Sequence, residues 1–144
     1  VERKLDKLLE GIAYAWESFG FDLHGEAFYD AERHEVHAPV KGGGQGDGVD
    51  LYVWYEGQEN QGETYLMVGW YAKGRRQARR LAEQAARSRA LELPGVQPLL
   101  EDFEWYVREL PLGELENLDP ADQWARVVDF LKETVRAVEQ SGIL

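Results

Sequence analysis

Leu5, Leu8, Leu9, Ile12, Ala13, Trp16 and Phe19 recur at steps of three and four residues, which gathers them on one face of a helix. The spacing predicts a helix over residues 2–19, ended by Gly20, which takes a left-handed conformation without a Cβ clash. The period then shortens to two. Glu26–Tyr29 and His34–Val40 flank the turn-forming Asp30-Ala31-Glu32-Arg33, and Val36, Ala38 and Val40 alternate with Glu35 and His37, as in a hairpin. Lys41 to Gly48 form a glycine-rich loop. Val49–Glu56 and Glu63–Ala72 follow as two strands rich in aromatic and β-branched residues, joined across Gly57–Gly62. Val49, Leu51, Val53 and Tyr55 share one face; Asp50, Tyr52, Trp54 and Glu56 share the other.

Lys73-Gly74 turns the chain into a helix over 75–91 whose apolar stripe is narrow and small: Ala78, Leu81, Ala82, Ala85 and Ala86. Pro94 and Gly95 break it, and Phe103–Leu110 reads as a further strand with Phe103, Trp105 and Val107 facing one way. Asp119 caps a final helix with Pro120 at its first position. That helix turns Trp124, Val127, Val128, Leu131, Val135 and Val138 to the core and ends at Gly142. The pattern predicts one α+β domain over residues 1–144. Its antiparallel sheet has four to five strands, with an N-terminal helix, a central Arg-rich helix and a C-terminal helix.

Composition supports a folded, water-exposed chain. At 144 residues with 44% hydrophobic content it can bury a core. No apolar run approaches the ~20 residues of a membrane span, the opening residues lack a signal-peptide pattern, and there is no cysteine. A cytoplasmic location is expected, with no membrane partner and no cofactor. Glutamate, 18 residues, doubles aspartate, and Asn and Met are scarce, which suits a protein that works hot.

Charge adds a partition that hydrophobicity does not show. The net charge is −11, yet residues 73–89 carry seven basic groups and one acidic. Residues 1–72 carry net −9 and residues 90–144 net −8. Repulsion from phosphate argues against direct nucleic-acid binding and leaves a charged protein partner.

Catalytic and metal motifs find little support. His34 and His37 with Asp30 and Glu35 suggest a metal site, but residues three apart on a strand point to opposite faces, so no metal site is expected there. The loop 41–48 lacks the ending of a P-loop, and Ser18, Ser88 and Ser141 sit in no elbow motif. Gly48-Val49-Asp50-Leu51, within an order of helix, three strands, helix and strand, resembles the core of restriction-endonuclease-like proteins over about residues 8–91. The resemblance implies Asp50 as a metal ligand and Lys73 as the group steadying water. Tyr71, however, stands where the second carboxylate belongs. A degenerate nuclease-fold domain of a defence system, or an accessory domain like those that follow such nucleases, is the alternative reading.

Two features point to a binding role. Arg75, Arg76, Arg79 and Arg80 lie a turn apart on the central helix, with Arg87 two turns on: an arginine comb for bidentate pairing with an acidic surface, or a solvated face paired internally. Tyr52, Trp54, Tyr65 and Tyr71 cannot share the core face with Leu51, Val53, Leu66, Val68 and Trp70, and Tyr and Trp are residue types that dominate interfaces. A core on both faces of the sheet is the competing arrangement. In general character the chain resembles small acidic phage-encoded inhibitors of a thermophilic host's RNA polymerase. That resemblance implies a non-enzymatic modulator of transcription acting in the host cytoplasm.

Overall fold

A computed structural model describes residues 2–20, 26–41, 48–58, 62–72, 74–87, 96–97 and 104–141. The first helix, α1 (Glu2–Ala15), tightens into a 3-10 turn over Trp16–Phe19. Three residues per turn brings Trp16 and Phe19 to the same side, and their rings meet edge to face at 5.7 Å. Gly20 ends the turn in the left-handed region at φ 80°, its N–H donating to the Glu17 carbonyl at 3.3 Å, as its position predicts.

Six strands follow the period-two segments: β1 (Phe28–Asp30), β2 (Glu35–Lys41), β3 (Val49–Gln58), β4 (Glu63–Ala72), β5 (Val96–Gln97) and β6 (Glu104–Pro111). They form one antiparallel sheet in the order β1-β2-β3-β4-β6-β5. Five match the expected strands; β5, at two residues, is too short to leave a pattern. The helix α2 (Arg75–Arg87) lies between β4 and β5, and α3 (Pro120–Ser141) follows β6 through a 3-10 turn at Leu112–Leu115. Asp119 caps α3 as expected, its Oδ1 accepting the Asp122 N–H at 2.9 Å.

The register decides which side is core. Leu51 lies opposite Trp70 and Val53 opposite Val68, and all four are buried, with Val36, Ala38, Val49, Leu66, Ala72 and Leu110. One contiguous core joins them to Leu9, Ile12 and Trp16 of the N-terminal segment, Ala78, Leu81 and Ala82 of α2, and Val127, Phe130, Leu131, Val135 and Val138 of α3. All three helices contribute to this one core; among the described residues no helix packs on the opposite face, although Met67 and Val107 there are buried. Small side chains let α2 approach β6 and β4 closely, as its alanines imply.

Three expectations shift. The first turn occupies Ala31–His34 rather than Asp30–Arg33, because Asp30 Oδ1 accepts the backbone N–H of Glu32 and Arg33 (3.0 and 3.2 Å) and His34 takes the left-handed position at φ 55°. Trp124 lies at the rim, 36% exposed, against Gly11 of α1, whereas Phe130 fills the α3 core. The α-helical part of the first helix stops at Ala15. Residues 42–47, 59–61 and 88–95, Lys73, Phe103 and Gly142, and the side chains of Ala85, Ala86 and Trp105, lie outside the described residues.

Candidate functional site

The sheet face turned away from the helices carries a row of rings. Alternation puts Phe28, His37, Tyr52 and Tyr71 there, one from each of β1 to β4, and the pairs Phe28–His37 and His37–Tyr52 are direct cross-strand partners. Their ring centroids stand 5.0, 4.1 and 4.4 Å apart along the row. Trp54 joins at 6.0 Å from Tyr71, and its indole N–H donates to Glu56 at 3.1 Å. Its ring lies close against Gly69: a Cβ there would sit 2.8 Å from Trp54 Cη2 and 3.3 Å from Val107 Cγ2. Gly69 is thus required by close approach rather than by backbone angle. Tyr65 shares this face and donates its hydroxyl to Glu63. Tyr52, Trp54, Tyr65 and Tyr71 are all half-buried, as expected of rings excluded from the core. Burial raises the Tyr52 pKa, with the Asp50 and Glu35 charges adding to it, and the Glu63 hydrogen bond raises that of Tyr65.

Carboxylates border this row: Asp30, Glu35, Asp50, Glu56 and Glu63 share its face. At its β1–β2 end, His37 Nε2 lies 3.0 Å from Glu35 Oε1 and 3.9 Å from Asp30 Oδ2. One ligand atom from each of the three residues falls within 4.8 Å of the other two. His34 points elsewhere, to Asp6 of α1 at 2.9 Å, so the two histidines do lie on opposite faces. Treating them as a pair hid the convergence that matters. Glu35 and His37, two apart, share a face, and Asp30 joins them once it belongs to a strand end instead of the turn.

The second feature is the outer side of α2. Arg75, Arg76, Arg79, Arg80 and Arg87 are exposed, and the first four line a shallow depression of about 500 Å³ with Glu83. Among the described residues, no carboxylate pairs with any of the five. Arg80 Nε donates to Gln77 Oε1 at 3.1 Å. Because α2 buries Ala78, Leu81 and Ala82 in the common core, these arginines point away from the aromatic row. The two sets of binding candidates occupy opposite sides of the domain.

No family model, curated protein or solved structure matches this chain. Its own residues carry the functional reading. Four strands, not three, separate α1 from α2. Asp50 stands in register with Tyr71, and among the described residues it belongs to no group of three metal-ligating side chains. A third surface, an open groove of about 670 Å³ between α1 and α3, is lined by Leu5, Leu8, Tyr14, Leu115 and Trp124. The sequence reading missed this groove, although Tyr14 lies off the apolar stripe of α1 and a large ring there is an available signal. No helix among the described residues is long and apolar enough to cross a membrane.

Proposed function

We propose that this chain is a non-enzymatic binding module that docks on an acidic surface of a larger protein machine through the arginine face of α2 and modulates it. The observation that carries this reading is that, in a chain of net charge −11, five exposed arginines of one helix find no carboxylate partner among the described residues. Internal pairing is the competing explanation for the comb, and among the described residues no carboxylate provides it. Exposed guanidiniums arranged on successive turns suit bidentate capture of carboxylates on a partner.

The aromatic row supplies a second contact of different chemistry. Rings bordered by carboxylates attract cationic and apolar groups. Since it faces away from the arginines, one flat partner surface meets one feature or the other; engaging both takes a partner that wraps the domain or two separate ones. The specific partner put forward by the resemblance to phage inhibitors is the RNA polymerase of a thermophilic host, with altered transcription as the consequence.

Pull-down of host RNA polymerase by the tagged chain tests this. Wild type retains the enzyme, and the double substitution Arg76→Glu plus Arg80→Glu releases most of it. Equal retention by the double variant removes the arginine face from the interaction, and no retained polymerase by wild type rejects that partner.

A further inference from the structure

We propose that Asp30, Glu35 and His37 form a binding site for one divalent transition-metal ion of the zinc type, at the turn end of the β1–β2 hairpin. The donor set is one imidazole nitrogen and two carboxylate oxygens, which suits an ion of intermediate softness. One donor atom from each of the three residues already lies within 4.8 Å of the others. Donors about 2.0–2.2 Å from a shared ion stand roughly 3.4 Å apart in tetrahedral geometry, so small side-chain rotations close the site.

Three further observations favour an ion over a simple hydrogen-bonded pair. Asp30 divides its oxygens: Oδ1 is occupied by the N–H groups of Glu32 and Arg33, while Oδ2 is turned toward His37 at 3.9 Å, too far for a hydrogen bond. Asp30 and Glu35 are direct cross-strand partners on one face, a like-charge pairing that costs stability unless a cation stands between them. The nearest described guanidinium, Arg33, reaches Asp30 only at 4.0 Å and is mostly in solvent. Finally, His37 is preorganised. It is 8% exposed and its ring is held between Phe28 and Tyr52, so little freedom is lost on coordination. Three protein ligands leave a fourth position for water or for a side chain of a partner. Bound there, the ion would pin the Ala31–His34 turn to the first rung of the aromatic row and neutralise the acidic charge at its end.

Calorimetric titration of the purified chain with zinc chloride tests the site, beside imidazole ¹H–¹⁵N spectra of the same sample. The expected result is one Zn²⁺ per chain, with the His37 ring signals shifting while those of His34 and His24 stay in place. Asp30→Asn, which keeps the turn acceptor, and Glu35→Gln should each weaken binding at least about tenfold, the loss typical of disturbing a metal site. His34→Gln should change nothing. Uniform shifts at all three histidines, no shift at His37, undiminished binding by both carboxamide variants, or equal affinity for Mg²⁺ would each overturn the site. The spectra of wild type decide the matter even if a variant folds poorly.

Discussion

Asp6 of α1 gathers three side chains from 23, 28 and 49 residues further along the chain: Tyr29 OH at 2.9 Å, His34 Nδ1 at 2.9 Å and Tyr55 OH at 3.5 Å. The His34 hydrogen bond, the largest influence, holds the Asp6 carboxyl below its ordinary 3.8; burial opposes it as the next largest effect, and the Tyr29 hydroxyl adds to the lowering. A carboxyl whose folded pKa is depressed stabilises the fold above the unfolded value and loses that contribution as pH falls through the folded one. Asp6→Asn should therefore lower the urea midpoint at about pH 5.5, and the gap from wild type should close as the pH drops below about 4. A gap that persists unchanged in acid would place the effect of Asp6 in packing instead. The same contact acts in reverse on Tyr29, whose pKa is pushed up to about 12, chiefly by burial and then by the Asp6 hydrogen bond. Its neutral form is favoured in the fold, so that contribution is present below about pH 10 and is lost as pH rises toward 12.

One buried cation fixes how α3 meets the sheet. Arg108 of β6 is 4% exposed and occupies a core-facing position. Its guanidinium donates to Thr134 Oγ1 at 2.8 Å, to the Phe130 carbonyl at 3.3 Å and to Glu133 at 3.1 Å, and lies 4.8 Å over the Phe130 ring. Thr134 Oγ1 in turn donates to the Phe130 carbonyl at 2.6 Å. Arg108→Met keeps the aliphatic bulk, frees Glu133 into solvent and leaves Thr134 donating to the Phe130 carbonyl. The expected cost is about 2 kcal/mol by urea denaturation, with amide exchange rising in α3 more than in α1. Equal exchange in both helices would show that Arg108 does not orient α3. The stripes of α1 and α3, the cap at Asp119, the left-handed Gly20 and five of the strands were legible because periodicity and capping are local properties. Arg108 was not, since its partners Thr134 and Glu133 lie some 25 residues on and no pattern within β6 names them. The first turn was displaced by one residue for a similar reason. Asp30 and His34 both suit turn positions, and only the pairing of Asp30 with Glu35 across the strands decides between them. That single step concealed the Asp30–Glu35–His37 cluster. The aromatic row was half legible: alternation assigned Tyr52, Trp54, Tyr65 and Tyr71 to the outer face, but His37 was weighed as a ligand beside His34 and not as a ring in the row.

The whole domain carries −11, and the arginine face of α2 is a local exception to it. An acidic partner therefore feels two opposed fields whose reach depends on salt. At about 10 mM ionic strength the screening length is ~30 Å, comparable to the domain itself, so the full negative charge repels the partner as it approaches. Near 0.1 M the length falls to about 10 Å, which hides the distant carboxylates of the flanking segments but leaves Arg75, Arg76, Arg79 and Arg80 visible across their shared depression. At about 1 M it is ~3 Å, and the arginines are screened as well. Association measured by stopped flow should accordingly be fastest at intermediate salt, slowing on either side. Arg76→Glu plus Arg80→Glu removes the attractive patch and should leave only repulsion, so its association rate should rise steadily with salt. If wild type instead slows monotonically from the lowest salt upward, the partner surface is basic. The docking side would then be the acidic aromatic row of Phe28, His37, Tyr52 and Tyr71, with α2 facing away from the contact.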